Sequence, residues 1–370
     1  MRRLIIKLWY ININNMKIII LLKNKKFKVI ILLFFFLLLL LLSKNQGLNP
    51  YIYYYYNIKN NLFVRHNNSK IKRTFLFVED KQYITFTKKK PINISLSLDN
   101  FHIYPTLIVM VSILENNDKN NHIIIFYLLL SNNFNDSNIS IFESLKKKYE
   151  VIINYYYIPN IFENLRKWRG SNAIYYKLLI PLLFPDIKRM IHLDGDTLVF
   201  KDLWEMFNLP FKNNYLLAQR TVMHIFKDKI VKKHVINVGV ILFNIEKIRK
   251  ENKDFEIFYF LFKNKFTEQD ALNYVILQQI GYLPFKFGIW FMGNPTLFIK
   301  WMNYSLFEKI NETELQLALN EPSIVHILGC TPKHWYNQTK KILCKKYHKL
   351  FYDYAKKTDY YEKIYNKYMK

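Results

Sequence analysis

Two carboxylates, Asp194 and Asp196, flank Gly195 directly after the run KRMIHL of residues 188–193, which reads as a strand. Residues i and i+2 of an extended segment project to the same side, so both carboxylates can face one divalent cation, and Gly195 leaves space beside them. A cation held there could bridge a diphosphate and offset the charge of a departing nucleoside diphosphate, acting as Lewis acid and template. An isolated D-x-D is most often a solvated turn. Its meaning depends on what positions it and what else reaches it.

The segment that must position this pair alternates strand and helix. INISLSL from Ile92 reads as a strand, residues 104–116 as a helix, and HIIIFYLLL from His122 as a buried strand. Residues 140–148 then read as a helix, 150–157 as a strand and 172–183 as a helix closed by Pro185. Alternation of this kind predicts a doubly wound α/β sheet with ligands at the carboxyl ends of its strands. No glycine-rich phosphate loop follows any of these strands, and the chain has only 8 glycines. A Rossmann dehydrogenase or P-loop enzyme is thereby disfavoured, because both bring backbone N–H groups to phosphate through glycines.

The 370 residues leave room for one large domain and accessory segments. A formal net charge of +27 suits nucleic acid, acidic lipid headgroups or anionic substrates alike. Lysine is spread through an Asn-, Ile-, Tyr- and Phe-rich chain, and no zinc-finger, RRM or KH pattern is present, so nucleic acid is not expected as a partner. Cys330 and Cys344 are the only cysteines, which excludes a disulfide framework and a four-cysteine metal site. A single bridge and two free thiols both remain open.

Residues 29–42 (VIILLFFFLLLLLL) contain no polar side chain, and Lys23, Lys25, Lys26 and Lys28 crowd the preceding side in a positive-inside pattern. The run is short against the roughly 20 residues of a spanning helix, so a cleaved signal peptide competes with an uncleaved anchor. The exit segment SKNQG lacks a small-x-small cleavage pattern, and Phe27 and Ser43 extend the span if Lys28 snorkels. A type II signal anchor at residues 27–43 is therefore expected, behind a short basic cytoplasmic tail at 1–26; a start at Met16 would make residues 1–15 superfluous. Residues 44–90, rich in Tyr, Asn and Lys, read as a stem, 91–345 as one folded domain in the lumen of the Golgi or endoplasmic reticulum, and 346–370 as a basic aromatic tail. Asn67, Asn93, Asn135, Asn138, Asn303, Asn311 and Asn337 head N-x-S/T sequons, which agrees with a lumenal domain. In the tail, Tyr347, Leu350, Phe351, Tyr354, Tyr361, Ile364, Tyr365 and Tyr368 recur at near-helical spacing, which predicts a terminal helix packed on the domain, with a second membrane-surface contact as the competing reading.

Blocks follow one another over residues 92–335: LDNFHIYP from Leu98, YYKLLIP from Tyr175, HLDGDTLVF from His192, INVGVILFN from Ile236, EQDALN from Glu268 and HILGCTPKHW from His326. In that order they resemble glycosyltransferase family 8, whose members carry D-N-N-Y, Y-Y-R-L, Y-L-D-x-D-x-L, F-N-x-G-V-x-L-x-N, D-Q-D-x-x-N and H-x-x-G-x-x-K-P-W. The resemblance implies a GT-A type fold: α/β, a doubly wound mixed sheet in a single catalytic domain behind the N-terminal anchor. It also implies a retaining, metal-dependent enzyme that moves a hexose or pentose from a UDP-sugar to a glycan, protein or lipid acceptor.

By that resemblance Asp194, Asp196 and His326 would hold the metal. Carboxylates with an imidazole suit Mn2+ better than magnesium, which prefers oxygen ligands and retained waters, and another divalent cation stays open. Lys333 would meet the diphosphate, with Gly329, Gly195 and Ser97 at the donor, Asp99 beside the nucleoside, and Lys177 as a point charge where the family has a planar arginine. Asn237, Gln269 and Asp270 fall on positions around the transferred sugar and the acceptor, whereas Asn244 and Asn273 read as structural amides. A double displacement would want a carboxylate nucleophile, and Gln269 is an amide, so a same-face attack aided by the leaving diphosphate stays equally open. Phe101 and His102 replace the family's Asn-Tyr, Glu268 its Asp and His334 its Pro, with one extra residue between Gly329 and Lys333. These departures keep a catalytically silent relative, binding sugar nucleotide or glycan without turnover, as the alternative. A basic membrane-surface or nucleic-acid-binding protein is the third reading.

Overall fold

The computed structural model describes residues 9–13, 16–20, 88–168, 170–221, 224–226, 229–231, 235–290, 312–328 and 342–369. The chain divides into two units, Met1–Tyr56 and Asn57–Lys370. In the first, β1 (Trp9–Ile13) and β2 (Met16–Ile20) pair antiparallel with Trp9 opposite Ile20. The anchor expected at residues 27–43 and the stem up to residue 87 lie outside the described residues. Among the residues described, no helix is long and apolar enough to cross a membrane.

In the second unit β3 (Lys90–Leu98) is exposed only at Lys90 and Pro91, and β4 (His122–Ser131) and β5 (Val151–Ile158) are buried throughout, as near-continuous apolar strands are when a parallel sheet is covered on both faces. They pair in parallel, and β6 (Arg189–Leu193) joins β3 from the other side, again parallel, with Leu96 opposite Leu193. A second trio closes the sheet: β7 (Thr197–Val199) leaves it, but β8 (Leu216–Thr221), β11 (Val235–Asn244) and β12 (Ile280–Tyr282) add to its β6 edge. The order is β12-β8-β11-β6-β3-β4-β5, with β11 antiparallel to both neighbours, so the seven-stranded sheet is mixed. β7 instead pairs with β14 (Ile324–His326), which also carries β13 (Phe287–Trp290), in a three-stranded sheet, and β9 (His224–Phe226) and β10 (Lys229–Val231) form a hairpin.

Strand order reverses beside β3, with β4 and β5 on one side and β6 on the other. Ligands of open α/β sheets bind at such a switch point, outside the carboxyl ends of the strands. Asp99 follows β3 there and Asp194 follows β6.

Helices cover both faces. α1 (Ile103–Asn116) links β3 to β4, and α2 (Ile139–Glu143) links β4 to β5 between two 3-10 turns, so the helix expected over residues 140–148 is present in broken form. The helix expected over residues 172–183 is a 3-10 run, Ala173–Leu179, that passes into α3 (Ile180–Leu183). Pro181 explains the change of winding: it has no N–H to give the Lys177 carbonyl four residues back, and the Ile180 N–H takes that carbonyl instead. Just beyond, Phe184 packs edge-on against Tyr127 and Tyr156, at ring-centroid distances of 4.8 and 4.9 Å. α4 (Trp204–Phe207) follows β7, α5 (Ile245–Lys250) and α6 (Lys253–Asn264) follow β11, α7 (Glu268–Val275) leads to β12, and α8 (Glu312–Asn320) leads to β14.

α9 (Ile342–Ala355) and α10 (Tyr361–Tyr368) place Tyr347, Phe351, Tyr352, Ile364 and Tyr368 in the same core as Leu96, Leu107 and Val111. The segment set apart at residues 346–370 is therefore a packed part of the domain and not a tail. Its regularly spaced aromatics make apolar faces whose burial holds the helices down while the lysines between them reach solvent. Glu115, at the end of α1, accepts hydrogen bonds from the Tyr149 hydroxyl and from Lys357 Nζ at 2.6 Å, with Lys148 Nζ at 3.4 Å. Burial pushes its carboxyl up, but Lys357, Tyr149 and Lys148 outweigh it and hold it at about 2. A carboxyl lowered in the folded state stabilises above its unfolded value and loses that contribution as pH falls toward 2. Glu115→Gln is expected to cost about 1 kcal/mol at pH 7, after allowance for solvent screening, and to flatten the decline in stability between pH 5 and 2. Urea unfolding across that range checks it; an unchanged acid limb would show that the clamp contributes nothing.

Candidate functional site

The turn Asp194-Gly195-Asp196 leaves the large sheet at β6 and enters the small one at β7. Asp194 N–H donates to the Gly239 carbonyl at 2.8 Å, and the Asp194 carbonyl accepts from Thr197 N–H and Oγ1 at 3.2 and 2.8 Å. The Asp196 carbonyl accepts from Ile327 N–H at 2.8 Å. Each carboxylate is thus pinned through its own backbone, one by β11 and the other by the end of β14.

His326 lies on β14 opposite Thr197, with Nε2 3.0 Å from Asp196 Oδ1 and 4.0 Å from Asp194 Oδ2. One ligand atom from each of Asp194, Asp196 and His326 lies within 4.8 Å of the others, so the expected metal set converges. His326 Nδ1 is 3.0 Å from Asn237 Oδ1, which also accepts from Gly239 N–H at 3.0 Å. A carbonyl oxygen only accepts, so Nδ1 carries a proton, and Nε2 is the nitrogen turned toward the two carboxylates. Asn237, expected around the transferred sugar, is engaged in orienting the imidazole.

An irregularity in β11 makes this possible. Its ladder with β8 jumps from Asn237 opposite Gln219 to Ile241 opposite Ala218, so residues 238–240 bulge. The bulge turns the Val238 carbonyl to Lys177 and the Gly239 carbonyl to Asp194. It also brings Gly239 so close to the His326 ring that a Cβ there would stand 2.0 Å from Cε1. At Gly195 a Cβ would meet only Thr106 Oγ1 at 3.5 Å, an ordinary contact, so the turn itself does not require glycine.

Lys177 approaches from beneath, fully buried, with Nζ 2.7 Å from Asp194 Oδ1 and 2.9 Å from the Val238 carbonyl. Its ammonium is thus engaged on Asp194, one of the candidate metal ligands. His192 Nε2 stands 3.4 Å from the same Oδ1, and its Nδ1 is 3.0 Å from Ser95 Oγ, its cross-strand neighbour. Burial pushes the imidazole down to about 4 and Lys177 adds to this, so His192 is neutral at pH 7. Burial also pushes the Asp194 carboxyl up, but Lys177, His192 and His326 outweigh it and hold it well below the usual carboxylate range.

Glu268, the first residue of α7, is buried and faces the same cluster. Burial lifts its carboxyl to about 7, with Asp194 and Asp270 adding and Lys177 opposing. The folded chain then holds a proton that the unfolded chain releases above about 4.5, so this contribution to stability is present at low pH and lost as pH rises through about 7. In chelator, wild-type stability is expected to fall between pH 5 and 8.5 by on the order of 3 kcal/mol from this group, and Glu268→Gln to remove that part of the slope. An equal slope in the variant would refute the assignment.

Asp99 Oδ1 accepts from Phe101 N–H at 2.9 Å and lies 2.7 Å from His102 Nδ1. Burial raises its carboxyl, and His102, Ser171 and the Phe101 amide overcome this to hold it at about 2. Beside it Phe101 is 80% exposed at the switch point. Ser97, one residue from the end of β3, has a buried Oγ without a hydrogen-bond partner among the described residues. Gln269 is half-buried on the first turn of α7, whereas Asp270 Oδ2 accepts from Thr267 N–H and Oγ1 and Thr267 Oγ1 accepts from Asp270 N–H. Asp270 thereby closes a capping box, a structural task. Asn273 exchanges both hydrogen bonds with the Ile236 backbone and Asn244 caps α5, as their reading as structural amides expects. Gly329, Lys333, Cys330 and the Cys344 side chain lie outside the described residues. Sequence reasoning passes over Ser95 and His192, and notes Glu268 only as a departure from the family's Asp. The i, i+2 relation of His192 to Asp194 on one strand is the signal that points to the second of them.

Comparison with known proteins places these features. Residues 93–339 match the sequence profile of glycosyl transferase family 8. A Haemophilus influenzae protein carrying a provisional glycosyltransferase name is 24% identical over 269 residues, 68% of this chain and 76% of that one. The fold superposes on WbbM, a bifunctional glycosyltransferase, with a TM-score of 0.61 at 20% identity, over 77% of this chain and 53% of that one, so this chain spans about half of WbbM. It superposes on the galactosyltransferase LgtC, solved with donor and acceptor sugar analogs, with a TM-score of 0.57 at 16% identity, over 72% of this chain and 96% of that one.

Proposed function

Because the chain belongs to glycosyl transferase family 8 and is a glycosyltransferase, we infer that it transfers a hexose or pentose from a UDP-sugar to a glycan, protein or lipid acceptor in a metal-dependent, retaining reaction. The observation that carries this reading is the convergence of Asp194, Asp196 and His326 at a strand switch point. Two carboxylate oxygens and an imidazole lone pair fit a divalent cation, and Mn2+ better than magnesium. When bound, such an ion supplies Lewis-acid stabilisation of the departing diphosphate. The chain's own residues do the rest. Asp194 and Asp196 hold their oxygens toward one point, Asn237 fixes the imidazole tautomer, and the half-buried Gln269 on α7 offers its amide to the sugar.

A type II anchor at residues 27–43 with a lumenal catalytic domain belongs to the same reading and rests on the apolar run of residues 29–42 behind its lysines. Release of UDP from a panel of UDP-sugars, with manganese or with EDTA, tests the activity. Turnover of one sugar that EDTA abolishes is the expected result. A folded protein that binds UDP but turns over no sugar with a broad acceptor panel would put the silent relative in its place.

A further inference from the structure

Among the described residues around the turn, Lys177 carries a charge that does not help to hold a dication on the two carboxylates. Its ammonium is fully buried, a costly placement unless every donor is used, and it is spent on Asp194 Oδ1 and the Val238 carbonyl. His192 bonds to the same Oδ1 and is itself held by Ser95. Donors from inside the domain thus converge on Oδ1, whereas Oδ2 is the oxygen nearest His326 Nε2, at 4.0 Å. Among the described residues, the ammonium thus lies beside Asp194 and Asp196, two carboxylates that would otherwise repel one another, on the inner side of the place where a dication fits.

Resting on the metal-dependent reading above, we propose that Lys177 is a positioning residue that serves as the resident counter-cation of the site: it holds Asp194 by Oδ1, leaves Oδ2 alone for the metal, and weakens metal binding by its charge. The ammonium and the dication share one carboxylate, so each lowers the other's gain from it. With Lys177 in place the site keeps its charge balance when the metal leaves, and the metal is held loosely enough to exchange between turnovers. The 3-10 winding forced by Pro181 sets the position on the chain from which the ammonium reaches inward. Arginine at this position would have to fit a planar fork into a space that a lysine fills without exposure.

The test is manganese titration of the metal-free protein, followed by the spin-resonance signal of free Mn2+, on wild type, Lys177→Gln and Lys177→Met. Glutamine keeps a neutral N–H for Asp194, whereas methionine removes donor and charge together. Both variants are expected to bind manganese about 10- to 100-fold more tightly than wild type, with the metal-free Tm lowered most in Lys177→Met and regained when manganese is added. A variant that folds only with manganese gives the same answer, because the dication then replaces the ammonium. Unchanged or weaker manganese binding in both variants, or failure to fold with or without manganese, overturns the proposal; a raised KM for UDP-sugar at saturating manganese beside unchanged metal binding would make Lys177 a donor contact. Wild type that binds no manganese while Lys177→Gln does would instead remove the metal-dependent reading and leave the counter-cation in place, and absence of binding in all three removes both.

Discussion

Asp196→Ala is expected to lower metal-dependent release of UDP by about 1,000-fold while leaving the metal-free protein at least as stable as wild type. The side chain supplies Oδ1 at 3.0 Å from His326 Nε2, so its loss removes one of the converging ligand atoms. The backbone stays fixed, because the Asp196 carbonyl still accepts from Ile327 N–H. Removing one of two neighbouring carboxylates also relieves their mutual repulsion when no cation is bound. The two halves of the expectation have opposite signs, which separates loss of a ligand from loss of the fold. Thermal unfolding in EDTA and in manganese, beside the UDP assay, reads both. A variant that retains turnover suppressed by EDTA would show that the cation sits elsewhere.

Gly239→Ala is expected to abolish manganese binding and to destabilise the domain by about 1 to 3 kcal/mol, although glycine-to-alanine changes in a strand are usually mild. The new methyl would stand 2.0 Å from His326 Cε1 and 2.5 Å from Nδ1, on a ring only 2% exposed and held between Asn237 and Asp196. Either the ring leaves, and a ligand with it, or the bulge of residues 238–240 shifts and moves the backbone acceptors of Asp194 and Lys177. The cycle with His326→Ala distinguishes steric exclusion from a general weakness of the strand: in that background the space of the ring is vacant, and Gly239→Ala should cost little in stability. Additive effects in the double variant would refute the close-approach account.

Much of this frame is legible in sequence. The strands at residues 90–98, 122–131 and 151–158 announce themselves as apolar runs too short for helices, and the D-x-D after KRMIHL falls where a strand must end. His326 is found only through the order of blocks, since no local pattern marks a histidine whose partners lie 130 residues earlier. The bulge in β11 leaves no trace in INVGVILFN except a glycine, whose task depends on a ring brought by another sheet. Lys177, read in sequence as a point charge at the donor, is also a single charge inside AIYYKLLIPLL with no polar face to occupy, which points to a buried partner. Asp270 carried its own warning in TEQD, a capping-box pattern that competes with any catalytic role. The aromatic spacing of residues 345–370 predicts helices, yet which surface they cover is decided by α1, a partner more than 200 residues away.

The pairing of β14 with β7 has a consequence for how the protein comes into being. Asp194, Asp196 and Lys177 are all made by the time residue 200 has left the ribosome, together with the four parallel strands that meet at the switch point. His326 follows after β8, β11 and β12 have been synthesised, so the ligand set is among the last features of the domain to be completed. During that interval the carboxylates have Lys177 and the imidazole of His192 as neighbours, and not yet that of His326. Capture of a cation by this set would then fall at the end of synthesis, marking a finished domain and not nucleating one.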